Sequence, residues 1–349
     1  MSANKKVFVG MSGGVDSTVA CILLLEQGYE VEGVTLELHT SENKACGSSD
    51  SSDAREMARL LGIKHHIVDQ RQAFKKNVID YLTDTYIKGQ TPNPCIACNM
   101  HIKFGSMLDY AQSNGADYIA TGHYAVVSRE ENEYVLKKAQ TSKDQSYVLY
   151  HLTQEKLSKV LFPLANISKE EVRAVAQKYN LPVFSKPDSQ DICFISDNDY
   201  AGYIKRQTGR SFEKGLFVDQ NGKTLGEHKG IIHYTVGQRK GLGISFGVPM
   251  YVKELDAEKN LVVLCEEGGQ LSTVLYAERL SFVNPQKIKR QMKVKAKTRY
   301  NAKAAEAVMT LTKNGQMEVM FSQPQRAVTP GQAVVLYDND IVLGGGIII

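Results

Sequence analysis

Gly10-Met11-Ser12-Gly13-Gly14-Val15-Asp16-Ser17 lies between one apolar run, Val7 to Val9, and a second, Val19 to Leu25. The order is strand, glycine loop, helix start. Gly13 and Gly14 permit positive φ and close backbone approach, so successive N–H groups can converge on phosphate oxygens. Ser12 and Ser17 add hydroxyls, and the helix N-terminus adds partial positive charge. The Lys-Ser/Thr ending of a Walker A loop is missing, as is the wider spacing of the dinucleotide fingerprint, so neither γ-phosphate transfer nor hydride transfer is the natural chemistry. An ordinary glycine-containing turn is the plain alternative.

Outward from this loop, strand and helix signals alternate. Residues 31–36 read as a second strand and 53–61 as a helix with Ala54, Met57, Ala58 and Leu61 on one face. A third strand follows at 66–68, a helix at 73–86, and a buried strand at 117–124 that runs into a loop. Such alternation implies a parallel sheet with helices on both faces and ligands outside the carboxyl ends of its strands. Ser168 and Glu171 form a capping box at the head of a helix over 168–180. After about residue 205 the pattern becomes short strands broken by glycine, with an Asn221-Gly222 hairpin signal and further alternation at 250–265, 292–300, 306–311, 317–321 and 333–337. The expected division is an α/β domain over 1–205 and two small antiparallel β domains over 206–278 and 279–349.

The chain has 349 residues, 42% of them hydrophobic, enough to bury more than one core. No apolar stretch approaches the ~20 residues needed to cross a bilayer. The polar first residues lead straight into a strand and leave no room for a signal peptide, so a cytoplasmic protein with no membrane partner is expected. A net charge of +4 and a pI near 8.5 permit a nucleic-acid partner without arguing for one. Placement says more: Lys293, Lys295, Lys297 and Arg299 fall on every second residue, so a strand would put all four on one face and Val294, Ala296 and Tyr300 on the other. Gln238-Arg239-Lys240-Gly241 adds a basic, glycine-flanked loop. Tyr147 and Tyr150 are either base-stacking platforms or core tyrosines. His123 reads as a hydrogen-bonded structural group, and the adjacent His65 and His66 point to opposite faces of a strand.

Six cysteines in an intracellular chain argue for chemistry or burial rather than a disulfide framework. Cys21 and Cys265 belong to apolar runs and read as core thiols; Cys46, in the polar loop 42–52, has no nameable partner. Cys95 and Cys98 lie in Thr91-Pro92-Asn93-Pro94-Cys95-Ile96-Ala97-Cys98-Asn99, and Cys193 lies in Asp188-Ser189-Gln190-Asp191-Ile192-Cys193-Phe194, both read as rigid polar loops. Pro92 and Pro94 keep the first segment out of a helix interior and present Cys98 just ahead of a helix that buries Phe104, Met107 and Leu108. A thiol at a helix N-terminus has a lowered pKa and is more nucleophilic. Alternatively, Cys95, Cys98 and Cys193 could hold an iron–sulfur cluster with one open position. A four-cysteine zinc site lacks a suitably spaced fourth partner.

SGGxDS resembles the PP-loop of the ATP pyrophosphatases, which adenylate a substrate oxygen and release pyrophosphate. With TPNPCIACN, IKFG, YIATGHYA, KDQSYVLY, KPDSQDICFI and HYTVGQRKGLGI added in order, the chain resembles the bacterial tRNA-specific 2-thiouridylases (tRNA-uridine 2-sulfurtransferases) nearly end to end. The resemblance implies a Rossmann-like, adenine nucleotide alpha hydrolase-like PP-loop domain followed by β domains, the last a tRNA-binding barrel. The implied activity is ATP-dependent 2-thiolation of the wobble uridine. Gly10 to Ser17 would hold ATP, with Leu36 and Gly122 along the adenosine side, and Mg²⁺ is expected with the pyrophosphate, Asp16 beside it. Cys98 matches the family's nucleophile and Cys193 its persulfide carrier. Asn93, Pro94 and Cys95 match the target-base segment, while Lys143, Asp144, Gln145, Arg299 and Tyr300 match tRNA contacts. Cys95 stands where many members carry aspartate. The implied partners are tRNA and a sulfur-donor protein, either a cysteine desulfurase or a sulfur relay protein. Two rivals are an amide-forming PP-loop ligase, which would need no reactive thiol, and a non-catalytic RNA-binding protein.

Overall fold

The computed structural model describes residues 5–39, 51–185, 192–195 and 197–349. Cys46 and the stretch Asp188 to Asp191 lie outside the described residues. The chain divides into two compact units: residues 1–77, 95–197 and 340–342 form one, and residues 78–94, 198–339 and 343–349 form the other.

In the first unit, β1 (Lys6–Gly10), β2 (Glu30–Glu37), β3 (Lys64–Asp69) and β4 (Tyr118–Ala120) precede a hairpin of β5 (Ala125–Glu130) and β6 (Glu133–Lys138), after which comes β7 (Val160–Leu161). β1, β2, β3, β4 and β7 make a parallel sheet in the order β3-β2-β1-β4-β7. Val7, Phe8 and Val9 are all buried, so β1 is covered on both faces, as an unbroken apolar run in a parallel sheet requires. Helix α1 (Val15–Glu26) lies against the sheet. It is buried around most of its circumference because α2 (Ser51–Leu61) and the helix Lys169–Lys178 close over it, with Val19, Ala20 and Leu24 meeting Met57, Val172 and Ala176 in one core. Cys21 is part of that core. The capping box forms as expected, Ser168 Oγ accepting from Glu171 N and Glu171 Oε2 from Ser168 N. The hairpin β5–β6 has no counterpart in the sequence reading; its tip is turned by Glu131 in the left-handed region.

The second unit holds two β modules. β8 (Gly215–Val218), β9 (Thr224–His228), β10 (Met250–Asp256) and β11 (Leu261–Glu266) form a sheet in the order β10-β11-β8-β9. The Asn221-Gly222 turn joins β8 to β9 with Gly222 at φ +83°, as its residues demand. β8 and β11 run parallel, so this module is mixed where the sequence pattern reads as purely antiparallel. The remaining strands are β12 (Leu271–Phe282), β13 (Gln291–Lys297), β14 (Ala305–Leu311), β15 (Met317–Arg326), β16 (Ala333–Asp338) and β17 (Ile341–Ile348). They run β12-β15-β14-β13-β16-β17, and pairing of β12 with β17 closes a six-stranded barrel around Leu275, Val294, Met309, Val319 and Leu336. β12 runs through the expected 278/279 boundary.

Candidate active site

The glycine loop leaves β1 at Gly10 and enters α1 at Val15. Gly14 is the N-cap, and no side chain caps the first amides of α1, which leaves N–H groups directed out of the helix end. The loop is held from inside. Thr35 Oγ1 donates to Met11 O at 2.8 Å, Ser17 Oγ donates to Gly14 O at 3.1 Å, and Ser12 N donates to Ser17 Oγ at 3.3 Å. Gly13 has φ +74°, and a Cβ there would stand 2.6 Å from Cβ of Asp53 in α2, so no other residue fits. Gly122 is just as tightly placed: a Cβ would stand 2.9 Å from Cβ of Asp16. Gly10 to Ser17 and Gly122 are therefore one assembly, a cradle of backbone N–H groups at the carboxyl end of β1. Leu36, half-buried, lies one residue before the end of β2, next to Thr35.

Asp16 does not wait for a cation. Lys169 Nζ donates to both of its carboxylate oxygens at 2.7 and 2.8 Å, and Tyr124 Oη donates to Oδ1 at 2.7 Å. Protein donors thus reach both oxygens of Asp16, the residue expected beside Mg²⁺. Lys169 also lines a cleft of about 370 Å³ with Thr141, Lys143, Ser168 and Glu170. Nothing in the sequence reading singled Lys169 out; it follows an N-cap serine and reads as an ordinary first-turn residue. Of the expected tRNA contacts in this unit, Lys143 lines that cleft. Asp144 accepts from Ala139 N and Ser146 N at 3.1 Å, and Gln145 Oε1 accepts from Tyr124 N at 3.0 Å. Tyr147 and Tyr150 are core residues, which removes them as base-stacking platforms. His123 is buried and hydrogen-bonded to Thr121.

The second cluster is sulfur. Pro94 opens a short helix, Pro94–Cys98, that winds on into a wider turn, Asn99–Ser106, kinked at Phe104-Gly105 within the IKFG motif. Proline is tolerated there because a first-turn N–H has no helical partner. Cys98 consequently sits at the carboxyl end of the first helical segment rather than ahead of it. Its thiol is pushed up to about 12 by burial, only partly offset by the Lys103 ammonium. The expected lowered pKa is thus reversed. Cys193 is pushed up to about 11 for the same reason, and Cys95 is also raised. The side chains of Cys95 and Cys193 reach solvent, yet the protein around their sulfurs is dense enough to disfavour the thiolate. Cys98 feels the charge of both Cys193 and Cys95, and Lys103 acts on all three, so thiols remote in sequence share one electrostatic neighbourhood. Phe194 anchors the Cys193 segment: its ring meets Phe74 edge-on at 5.4 Å and His39 at 5.9 Å. Among the described residues no three Cys, His, Asp or Glu side chains stand as a metal-ligand group, and the described cysteines are all free thiols.

Relatives match the sequence nearly end to end. A tRNA-specific 2-thiouridylase of Acetivibrio thermocellus is 53% identical over 99% of this chain and 99% of its own, and one of Clostridioides difficile is 46% identical over 100% and 99%. The chain belongs to the tRNA-specific 2-thiouridylase family. Family profiles divide it: a tRNA methyl transferase HUP domain matches residues 5–197, a tRNA methyl transferase PRC-barrel domain 202–266 and an aminomethyltransferase β-barrel domain 272–348. A 4-thiouridine synthetase solved with RNA and ATP shares 18% identity at a TM-score of 0.37, over 59% of this chain and 50% of its own, a likeness that decides nothing.

The remaining positions expected to contact tRNA or its target base, Cys95 apart, lie in the second unit. Asn93 is half-buried and Pro94 buried, next to Thr91, whose N–H donates to Pro330 O at 2.8 Å. Lys293, Lys295 and Lys297 alternate with buried Val294 and Ala296 as expected, but β13 ends at Lys297. Arg299 and Tyr300 therefore lie in the following turn, and Tyr300 is exposed with the Lys297 ammonium 5.5 Å from its ring centre. This corrects the inward placement of Tyr300 that continued alternation predicts.

No helix among the described residues is long and apolar enough to cross a membrane.

Proposed function

We propose that this chain is a cytoplasmic enzyme that converts the wobble uridine of tRNA to 2-thiouridine, using ATP and a cysteine-borne sulfur supplied by a cysteine desulfurase or a sulfur relay protein. The observation that carries the reading is the shared neighbourhood of Cys98 and Cys193 in the same compact unit as the phosphate cradle of Gly10 to Ser17. A pyrimidine C2 oxygen is a poor leaving group; its attack on the α-phosphate of ATP, with pyrophosphate held by the loop amides, converts it to an AMP ester that sulfur can displace. Cys193 carries the persulfide. Its terminal sulfur is delivered to C2 as AMP leaves, and Cys98 attacks the inner sulfur, so the enzyme finishes with a Cys98–Cys193 disulfide that a thiol reductant must reopen. Arg299, Tyr300 and Lys143 contact the tRNA, while Asn93, Pro94 and Cys95 border the target base.

Cys98→Ser and Cys193→Ser should each abolish thiolation while leaving ATP binding intact, with nucleoside mass spectrometry of the tRNA as readout. Retained 2-thiouridine in either variant refutes the assignment. Anaerobic purification addresses the cluster alternative: stoichiometric iron on which activity depends would replace the persulfide. An amide-forming ligase would keep its activity after cysteine alkylation, and a non-catalytic RNA binder would release no tRNA-dependent pyrophosphate.

A further inference from the structure

The basic loop Gln238-Arg239-Lys240-Gly241 belongs to neither cluster described above. In the second unit it meets the end of β15. The Arg326 guanidinium carbon lies 5.1 Å from the ring centre of Tyr251, and that of Arg239 lies 6.0 Å from the same centre. Those two distances cap the separation of the guanidinium carbons at about 11 Å. Tyr251 is 1% exposed, whereas both arginines are exposed. Neither guanidinium has an acidic partner among the described residues. Two like charges are thus held over one buried ring with nothing to neutralise them.

The backbone makes this placement deliberate. Gly237, at φ +86°, packs so closely that a Cβ would stand 2.2 Å from Cβ of Ala327, itself a non-glycine residue at φ +51°. Gly237 N donates to Val252 O at 2.7 Å and Val252 N to Gln238 O at 2.9 Å, which pins the loop to β10. Ala327 N donates to Gln270 O at 3.2 Å on the other side. Strained backbone of this kind persists where the surroundings over-determine it and is common at ligand clamps. Arginine stacked on an aromatic face keeps its N–H fork directed outward, the geometry suited to phosphate oxygens.

We propose that Arg239 and Arg326, set on Tyr251, form a clamp for the RNA phosphodiester backbone, with Lys240 beside it. The inference rests on tRNA as substrate and adds a contact surface outside the positions named above. Binding of a fluorescent tRNA transcript is measured between 50 and 250 mM salt, on the order of the range over which phosphate contacts are resolved. Arg239→Ala with Arg326→Ala should weaken binding about tenfold or more at the middle of that range and make the slope of log K against log salt shallower by roughly 1.4 to 1.8, the loss of two phosphate contacts. Arg239→Lys with Arg326→Lys should keep most of the slope, and ATP affinity should be unchanged in both. On the unaltered protein, phenylglyoxal modification of the two arginines, read by peptide mass spectrometry, should be blocked by tRNA and not by inorganic phosphate. An unchanged slope and affinity in the alanine pair, or modification that tRNA does not block, overturns the clamp. If the unaltered protein fails to bind tRNA at all, the substrate assignment falls and the clamp with it, a result distinct from either.

Discussion

Gly122→Ala separates the phosphate cradle from the rest of the fold. A Cβ at Gly122 would meet the carbonyl carbon and Cβ of Asp16 at 2.9 Å and Ser17 N at 3.0 Å, where ordinary contact begins at 3.4 Å, so the two segments must part by about 0.5 Å. Gly122 is not in the left-handed region, and the whole effect is therefore steric. Overpacking against backbone costs roughly 1–3 kcal/mol in stability. The displacement falls on the start of α1, whose amides are the proposed phosphate donors. Misaligning one hydrogen bond to a charged phosphate removes about 1.5–3 kcal/mol, so ATP affinity should fall roughly ten- to hundredfold. Gly28→Ala is the control: at φ +84° with no atom within 4 Å of its Cβ, it is strained through backbone conformation alone, in a turn remote in sequence from the cradle. Urea unfolding and calorimetric titration with ATP read both terms. Wild-type ATP affinity in Gly122→Ala, with or without lost stability, would refute the cradle.

Lys169→Met removes both Nζ–H contacts to the partly buried Asp16 carboxylate. It should lower stability by about 1–3 kcal/mol and weaken ATP binding in the same titration; undiminished affinity would make the pair purely architectural. The thiols give a pH signature. With Cys193 near 11 and Cys98 near 12, the thiolate fraction of each at pH 8 is about a hundredfold or more below that of an ordinary thiol. Iodoacetamide labelling, followed by peptide mass spectrometry, should accelerate about tenfold per pH unit through pH 10; a plateau near pH 8 would contradict the burial effect. Because these folded-state values lie above those of the unfolded chain, the stability they carry is complete below about pH 9 and lost as pH rises through 11 to 12. His151 works in the opposite direction. Buried, with neither ring nitrogen hydrogen-bonded, it is pushed down to about 3. Its contribution is therefore present above pH 6.5 and lost on acidification, about 2 kcal/mol by pH 5. His151→Phe should flatten urea midpoints between pH 7 and 5, and an unaltered pH slope would show that the ring already finds a proton partner.

Features encoded by the backbone were legible. Gly13 could be nothing else at φ +74° against Asp53, Val7 to Val9 had to be a doubly covered strand, and Asn221-Gly222 had to turn. β12 and β17 escaped for equally physical reasons. β12 is irregular at Ser272/Val274 and again around Arg279, which is at φ +50°, so its side chains do not keep a period of two. β17 carries Gly344-Gly345-Gly346, which reads as a breaker. Gly344 and Gly346 are there because β12 passes too close for side chains: a Cβ at Gly344 would stand 2.3 Å from Ser281 O, and one at Gly346 2.8 Å from Glu278 O. What looks like a loop signal in the sequence is the seam that closes the barrel.

Electrostatic partnership was the part that local pattern could not carry. A helix-start rule assigned Cys98 a lowered pKa. The rule depends on which end of a helix the thiol occupies, and Pro94 moved that start four residues upstream. Burial then outweighed the Lys103 charge. Asp16 has a related lesson: local pattern gives no sign of the Lys169 ammonium that meets its carboxylate, which comes from a helix whose capping box gives no hint of the contact. The two cases make one mechanistic point. A neutral pair of thiols resists stray oxidation even though Cys193 reaches solvent, and a half-buried carboxylate–ammonium pair beside the glycine loop keeps the charge there balanced. In the proposed reaction Cys98 must therefore lose its proton before it attacks the inner sulfur, and a substitution that removes the Lys103 charge should slow its labelling further rather than speed it.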